Sequence, residues 1–467
     1  MSRSKIDQLF DSDGEVDTAE LRERVERIDS EIRAVRSTNW EESEVSGELN
    51  GLPVSVKDNI CVEGMQATAG SRILEDYRPP FTATAVERLQ EEGAQVFAKT
   101  NMDEFGFGTF STNSAYEVPK NPHDTDRVTG GSSGGAAALT AALDLPHAAL
   151  GQSTGGSISC PAAFCGVVGL TPTYGRVSRY GLIDYSNSMD RLGPITCSVH
   201  DAAQVLDIIS GQDKQDPTTS SRDMEDLSGI EGGVEGMKIG VPKQYIGYKG
   251  VDPEVRDEVW RAIKRLEDMG AEYEKIDMPM ISGDYTIPAY YITSMSEAST
   301  NLARYCGMRY GLEGSPEGEG FEEYFSKIRS RGFGEEAVRR ILLGHFSRQA
   351  GYRNDYYLKA LKIRQLVIDE FKDAFQSFDL LAAPTMPVVA PTFEDAEEMD
   401  PVEVYAMDTL TVGPNFAGLP QLSLPTGKVK DMPVGLHLIA DHFNESKLVK
   451  AGTAYEDRKG FVELPEV

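Results

Sequence analysis

The sequence predicts an α/β protein in which helices cover both faces of a central sheet. Apolar runs at residues 52–56 and 94–99 are predicted strands, and a helix-forming segment lies between them. A third strand is predicted at 238–241, with a helix after it. Strand-like apolar runs return at 380–383 and 434–440. This alternation of strands and helices is typical of a sheet packed between helical layers.

Taken in order, the chain opens with a charged segment at 18–36 that favours a helix, followed by an acidic tether at 41–48. Residues 211–236 are rich in polar side chains and glycine and are predicted to form a surface excursion. Residues of about 285–378 are mostly helix formers. The length of 467 residues allows one large core or two to three domains.

Two helices carry clear boundary signals. The helix that begins near residue 82 is followed by Gly93, which predicts its end. The helix after the third strand has Asp252 as a predicted N-cap, Pro253 as its first residue and Gly270 after its last turn.

Composition indicates a globular protein with a strongly acidic surface. Hydrophobic residues make up 40%, and 46 basic against 75 acidic side chains give a net charge of −29. Such a surface is unsuited to neutralising nucleic-acid phosphates, so a partner would have to hold any tRNA or DNA. The same acidity can keep a protein surface hydrated in concentrated salt.

No apolar stretch is long enough to cross a membrane, and the first residues lack a signal peptide's apolar core, so we expect a cytoplasmic protein. The five cysteines are scattered and without CxxC pairs, which predicts reduced thiols and neither a zinc site nor disulfides. No metal site is expected.

Three short motifs stand out: 51–60 with Lys57, 130–135 with Ser132, and 151–157 with Ser157. Alone, each has an ordinary structural explanation, since a lysine can end a strand at the surface and a Gly/Ser cluster can form a turn. A phosphate-binding loop is not favoured, because no Gly-Lys-Ser/Thr follows the glycines.

Together the motifs suggest a serine nucleophile with a lysine base. None of the six histidines has a recognisable triad setting, and we expect them at the surface or the core edge. A lysine becomes a competent base once burial disfavours its charged form, and a second serine can relay the proton.

The stretch 51–194 resembles the amidase signature family, whose members hydrolyse amides with a Ser–cis-Ser–Lys triad. The resemblance implies that Ser157 is the nucleophile, Ser132 the bridging serine in a cis peptide and Lys57 the base. It also implies a single domain over 1–467 with a large mixed central sheet and an N-terminal helical segment of about 1–48. The implied oxyanion hole consists of backbone N–H groups at Thr154, Gly155, Gly156 and Ser157.

Within the family, the chain most closely resembles the glutaminase subunits of the tRNA-dependent amidotransferases. Segments 101–106, 164–182, 297–304, 339–344 and 415–420 carry this resemblance.

The resemblance to these glutaminases implies residues that bind free glutamine. Arg340 and Asp408 match the pair that holds its α-carboxylate and α-ammonium, and Tyr290 is a further pocket candidate. Without the family match, a surface-helix arginine and a helix-capping aspartate would be the simpler interpretations.

The resemblance also implies partners. Subunits B and C would complete a heterotrimer, and the partner subunit, not this chain, would bind ATP, Mg²⁺ and the misacylated tRNA. This chain itself would need no cofactor, and its ammonia would pass to that partner.

The nucleophile motif departs from the family's usual Gly-Ser/Thr-Asp-Thr-Gly-Gly-Ser-Ile/Val-Arg. Ser153 replaces the aspartate and Ser159 the arginine, so we hypothesise that neutral hydroxyls replace a supporting ion pair. These changes leave two alternatives open: a catalytically weakened structural subunit, or a stand-alone amidase acting on small amides.

Overall fold

The computed structural model describes residues 4–7, 16–41, 47–223, 225–315, 318, 320–460 and 465. Eleven strands of this part of the chain form one sheet, and two more form a small antiparallel ribbon. The strands are β1 (Val35–Thr38), β2 (Pro53–Lys57), β3 (Gln95–Thr100), β4 (Lys120–Asn121), β5 (Asp124–Val128), β6 (Ala148–Ser153), β7 (Val168–Thr171), β8 (Arg191–Thr196), β9 (Lys238–Pro242), β10 (Glu272–Ile276), β11 (Leu380–Pro384), β12 (Gln421–Val429) and β13 (Met432–Ile439).

Helices occupy most of the remaining chain. They are α1 (Thr18–Ile32), α2 (Thr84–Glu91), α3 (Gly134–Ala142), α4 (Ser159–Cys165), α5 (Val199–Ile209), α6 (Lys243–Ile246), α7 (Pro253–Asp268), α8 (Gly283–Asn301), α9 (Phe321–Gly332), α10 (Glu335–Arg348), α11 (Tyr357–Phe375), α12 (Phe393–Glu398), α13 (Pro401–Ala406), α14 (Thr409–Ala417) and α15 (Glu445–Lys459). Short 3₁₀ turns lie at Arg72–Leu74, Glu104–Gly106, Pro279–Ile281 and Leu302–Arg304.

The large sheet is mixed. Its order is β1-β3-β2-β6-β8-β7-β12-β13-β11-β9-β10. The pairs β3/β2, β2/β6, β11/β9 and β9/β10 are parallel, and the strands from β6 through β8, β7, β12 and β13 to β11 pair antiparallel. β2 and β6 are parallel neighbours, so their carboxyl ends meet at one edge, and two of the three motifs follow there.

Helices cover both faces of the sheet, as predicted. In β6, Ala148 and Leu150 pack into a core cluster that includes residues of α2 and α5. Ala149 points the other way, into a second cluster with residues of α1 and α3. Successive strand residues face opposite sides of a sheet, so these two clusters are its two helical layers.

The strand and helix signals mostly agree with the structure. Each predicted strand is present within two residues at either end. Asp252 caps α7 by accepting the N–H of Glu254 at 2.8 Å, with Pro253 in the first turn. Among the described residues, no helix or strand of the sheet lies between Ile209 and Lys238, which fits the surface excursion at 211–236.

The predicted helix at 18–36 was too long. α1 ends at Ile32, Arg33 adopts a left-handed conformation with φ 54°, and Val35–Thr38 joins the sheet beside β3. The half-buried Asp29 explains the stop, because its carboxylate accepts the backbone N–H of Val35 at 2.7 Å. Within the tether at 41–48, residues 42–46 lie outside the described residues.

The histidine prediction was wrong for two of the six. His147 and His437 are buried. His147 Nε2 lies 2.9 Å from Ser55 Oγ, and His437 Nε2 lies 3.1 Å from Gln421 Oε1. Burial lowers the pKa of each to about 3, so both are neutral and serve packing and hydrogen bonding. All five cysteines are free.

None of the described helices is both long and apolar enough to cross a membrane.

Candidate active site

Lys57 ends β2 as a fully buried side chain. Its Nζ lies 2.8 Å from Ser132 Oγ, 3.0 Å from the Gln152 carbonyl oxygen and 3.2 Å from Gln152 Oε1. Burial lowers the pKa of Lys57 to about 7, although the nearby carboxylates of Asp103 and Asp190 act to raise it. The amine can therefore accept and release a proton near neutral pH.

Ser132 lies in the loop before α3, and the Gly131–Ser132 peptide is cis. Thr109 O accepts the N–H of Gly131 at 2.7 Å, and Asp103 donates its own N–H to Ser132 O at 3.3 Å. The Asp103 carboxylate accepts the N–H of Ser111 at 2.9 Å. A Cβ on Gly131 would collide with that carboxylate, so glycine is required at this close approach.

Ser157 follows β6 and lies against the Ser132 loop. Its side chain is nearly buried, and its carbonyl accepts the N–H of Ser133 at 3.2 Å. Among the described residues, none accepts a hydrogen bond from the N–H groups of Gly155 or Gly156. These two donors are therefore available to an oxygen that enters the cavity beside Ser157.

Both loop glycines are needed for packing. A Cβ on Gly155 would overlap the Tyr290 ring. Gly156 has φ +146°, and a Cβ there would collide with the Thr411 side chain. Helices α8 and α14 thus press directly on the loop that carries Ser157.

The second and third motifs meet at one small cavity of ≈ 10 Å³, about the room of a single water molecule, and Lys57 of the first motif joins them through its contact with Ser132. The lining residues are Gly106, Gly108, Gly131, Gly155, Gly156, Ser157, Tyr290, Tyr291, Arg340 and Asp408. The structure therefore brings Ser157 together with all three residues that the resemblance assigned to glutamine binding.

Arg340 is buried in α10 and held in place on several sides. Its Nε donates to Glu336 Oε1 at 2.7 Å, and one terminal nitrogen donates to the Tyr185 hydroxyl at 2.7 Å. The guanidinium also lies over the rings of Phe107 and Tyr291, at 5.1 and 5.2 Å from their centroids. Because these contacts hold the side chain, a charge is presented to the cavity in one orientation.

Asp408 precedes α14. Its Oδ2 accepts the Tyr291 hydroxyl at 2.7 Å and the Thr109 hydroxyl at 3.1 Å. Burial raises the pKa of Asp408 to about 6, against the lowering effects of these hydrogen bonds and of Arg340. The carboxyl is therefore ionised at neutral pH and available to a cation.

Several residues that complete the site were not predicted from the sequence. Gln152 contacts Lys57, and Asp190 accepts from both the Gln152 amide and the Thr154 hydroxyl, at 3.1 and 2.6 Å. Glu336, four residues before Arg340 on α10, holds the guanidinium. Its i,i+4 spacing was the only available signal, whereas Asp190 is brought in from β7–β8 by tertiary structure alone.

Ser153 and Ser159, which stand where the family motif has aspartate and arginine, have different surroundings. Ser153 Oγ bonds Asn415 Oδ1 at 3.2 Å, and the buried Arg191, opposite Ser153 in the β6/β8 register, bonds the same oxygen. Ser159 Oγ is buried and has no hydrogen-bond partner within the described part of the chain. The replacement of an ion pair stays a hypothesis.

Within the described ranges, no group of three or more His, Cys, Asp or Glu side chains is arranged to hold a metal ion.

Comparison with known proteins decides the family. The family model described as Amidase matches residues 18–449. This chain is a member of the amidase family. The resemblance inferred from the three motifs is thereby confirmed, and so is the α/β fold with a large mixed sheet.

Several amidase relatives share one name, that of the A-type subunit of glutamyl-tRNA(Gln) amidotransferase. One from Methanococcoides burtonii is 46% identical over 446 residues, which cover 95% of this chain and 88% of the relative. Another from Moorella thermoacetica is 47% identical over 455 residues, 94% of this chain and 92% of the relative. The crystal structure of the protein of that name from Thermotoga maritima has a TM-score of 0.83 at 39% identity, covering 96% and 94% of the two chains.

Proposed function

We propose that this amidase is the glutamine-hydrolysing subunit of a tRNA-dependent amidotransferase. The observation that supports this best is the hydrogen bond of 2.8 Å between buried Lys57 and Ser132, next to a cavity that Ser157, Arg340 and Asp408 share. A base, a relay, a nucleophile and two opposite charges are the parts that hydrolysis of a free amino-acid amide needs.

In the proposed first step, Ser157 Oγ attacks the side-chain carboxamide carbon of glutamine. Its proton passes to Ser132, whose own hydroxyl proton passes to the neutral amine of Lys57. The carboxamide oxygen becomes an oxyanion, which accepts hydrogen bonds from the backbone N–H groups of Thr154, Gly155, Gly156 and Ser157. Donors of this kind typically contribute about 3 kcal/mol each to transition-state stabilisation.

The tetrahedral intermediate then collapses. The carbon–nitrogen bond breaks, the relay returns one proton to the leaving nitrogen, and ammonia departs with a glutamyl ester left on Ser157. Water attacks this ester by the same route in reverse, which releases glutamate and restores the Ser157 hydroxyl.

Arg340 and Asp408 select the substrate in this proposal. The guanidinium pairs with the α-carboxylate and the Asp408 carboxylate with the α-ammonium of glutamine, while Tyr290 lines the same space. Glutamine needs more room than ≈ 10 Å³, so wall side chains move when it enters.

The two opposite charges favour an amino acid over a small neutral amide, which carries no charge to pair with either of them. The Lys57–Ser132 contact argues against a purely structural subunit, because such a subunit needs neither a base nor a relay. We therefore favour the glutaminase over both alternatives.

The name of the relatives indicates a complex of several subunits. We propose that subunits B and C are the partners and that the B-type partner uses ATP and Mg²⁺ to activate the misacylated tRNA carboxylate. The net charge of −29 supports a division in which that partner holds the tRNA.

The test measures glutamate released from glutamine by the purified chain in high salt, alone and with its partner subunits and charged tRNA. Ser157→Ala is the matched control, since it removes one oxygen from the proposed nucleophile. We expect the rate of hydrolysis by the wild type to rise when partner and tRNA are present. The rate of Ser157→Ala should be at least about 1,000-fold lower than that of the wild type. Equal rates in the two proteins would overturn the proposal.

A further inference from the structure

The side chain of Gln152 lies between Lys57 and Asp190, deep in the site. Its Oε1 is 3.2 Å from Lys57 Nζ, and its Nε2 is 2.7 Å from Thr154 Oγ1 and 3.1 Å from Asp190 Oδ1. We propose that Gln152 is a positioning residue that directs the lone pair of the Lys57 amine at Ser132. This inference rests on the proposed role of Lys57 as the base.

The neighbours determine which way the Gln152 amide faces. Burial raises the pKa of Asp190 to about 7, so the group is partly ionised at neutral pH, and its ionised form can only accept, which places the amide NH₂ on that side. On the other side, Asn59 Nδ2 donates to Oε1 at 3.3 Å, and Lys57 has only donors to offer besides its lone pair. The oxygen of the amide therefore faces the lysine.

The number of donors and acceptors around Nζ then sets the direction of proton transfer. A neutral amine has two N–H donors and one lone pair. Two of the three oxygens around Nζ, the carbonyl and the amide oxygen of Gln152, can only accept. They take both N–H groups, so the lone pair is left to Ser132 Oγ, whose hydroxyl can donate.

Asp190 holds the other end of the amide. Its Oδ2 accepts the N–H groups of Tyr185 and Ser186 at 2.8 and 2.9 Å, so the carboxylate is anchored to backbone. Gln152 thus joins Lys57 to the loop of the proposed oxyanion hole through Thr154. It also keeps a neutral group between the lysine and the Asp190 carboxylate.

The residue type matters for this arrangement. The usual family motif has a serine or threonine here, which is too short to reach from β6 to both Lys57 and Asp190. A glutamate would place charge against the amine, and the facing carboxylates of Asp103 and Asp190 already act to raise the pKa of Lys57. A neutral amide positions the base without holding it protonated.

The experiment compares Gln152→Met and Gln152→Glu with the wild type in glutamine hydrolysis, over a range of pH. Methionine is similar in length but removes the acceptor, so we expect kcat to fall by about tenfold or more and the pH midpoint to move down. Glutamate adds negative charge, so we expect the midpoint to move up by about one unit. KM for glutamine should stay within a few-fold in both.

Gln421→Met is the matched control. Gln421 is also buried and bonds Asn415 Nδ2 at 3.0 Å, but it lies in β12 and does not contact Lys57. A purely structural role of Gln152 would lower the amount of folded enzyme in all variants without moving any midpoint. That result would overturn the inference, and if one Gln152 variant fails to fold, the other still decides the direction of the shift.

A second readout separates this inference from the proposed function. Phenylmethanesulfonyl fluoride sulfonylates an activated serine: the Ser157 oxygen bonds to sulfur, fluoride leaves, and the proton goes to the relay. If the wild type fails on glutamine but is labelled at Ser157 with the same midpoint shifts, the substrate assignment is wrong and the positioning role stands. The positioning role would be overturned if the rate of labelling were the same in Lys57 and Gln152 variants as in the wild type, or if no labelling occurred at all.

Discussion

Lys57 shows how a single side chain acquires its chemistry from its surroundings. In water its amine would be charged, yet complete burial lowers its pKa to about 7, even though Asp103 and Asp190 pull the other way. The same side chain at an exposed strand end would carry no function. The charge state of one residue thus depends on carboxylates from two other parts of the chain.

The first prediction concerns pH. A neutral lysine is the active form of the base, so activity should rise as pH increases through about 7, where Lys57 loses its proton. Below that point we expect kcat/KM for glutamine to fall about tenfold per pH unit, more steeply below about pH 6 where Asp408 also becomes protonated, and above pH 7 to level off. Initial rates of glutamate release between about pH 5 and 9 measure this. A profile that is flat across neutrality would contradict a lysine base.

The second prediction concerns Arg340, whose planar guanidinium is held by Glu336 and Tyr185. Arg340→Lys keeps the charge but loses the paired donors, so we expect KM for glutamine to rise about 10- to 100-fold with kcat within a few-fold. Steady-state kinetics check this. Arg339→Lys is the control, because Arg339 shares Glu336 with Arg340 and also pairs with Glu335, but is partly exposed and does not line the cavity. Equal KM changes in both variants would be the contrary outcome.

The third prediction separates the two unusual serines. Ser159→Ala removes a buried hydroxyl that lacks a partner within the described part of the chain, so the free energy of unfolding should stay the same or rise slightly. Ser153→Ala breaks the hydrogen bond to Asn415 and should lower it by about 1 kcal/mol. Denaturant unfolding of the two variants side by side gives both values, and a larger loss in Ser159→Ala would mean that its hydroxyl has an important partner.

At the scale of elements, the site depends on where strands end. Lys57 ends β2 and the Ser157 loop follows β6, and these two strands are parallel neighbours. Ser132 comes from the loop before α3, and the N–H of Ser133 joins that loop to Ser157 O. The substrate residues lie on helices: Tyr290 on α8, Arg340 on α10, and Asp408 directly before α14. The catalytic part is therefore built on the sheet, and the substrate pocket on helices.

The fourth prediction belongs to α7, whose apolar stripe is buried in the main core. Asp252→Ala removes the N-cap and should cost about 1 kcal/mol of global stability. The same change at the other end of the helix, Asp268→Ala, removes an exposed carboxylate from the negative end of the helix dipole and should be neutral or slightly stabilising. Chemical denaturation compares them, and equal losses would refute the capping argument.

At the scale of the whole molecule, one sheet carries both the core and the site. Its central strands are antiparallel, while the parallel pairs at its sides bring β2 beside β6 and β11 beside β9. Around this core the surface carries a large excess of acidic side chains. Their mutual repulsion opposes the compact state and is weakened by dissolved ions.

The fifth prediction follows from the net charge of −29. Raising KCl from low to molar concentration should screen the carboxylates and increase both the unfolding temperature and the glutaminase rate. Thermal melts and rate measurements across the series check this, with sucrose at matched osmolality as a control for general solute exclusion. A flat or falling response would argue against a surface adapted to salt.

The sequence by itself determined the α/β class, the positions of most strands, the capped start of α7 and the three motifs, because these are local patterns of hydrophobicity, turn residues and side-chain chemistry. It could not show that β1 replaces the end of the first helix, since that strand exists only through pairing with β3. Tertiary structure alone decided the contacts of Gln152 and Asp190 and the burial of His147 and His437. Those contacts join residues far apart in the chain, and only the folded sheet brings them within hydrogen-bond distance.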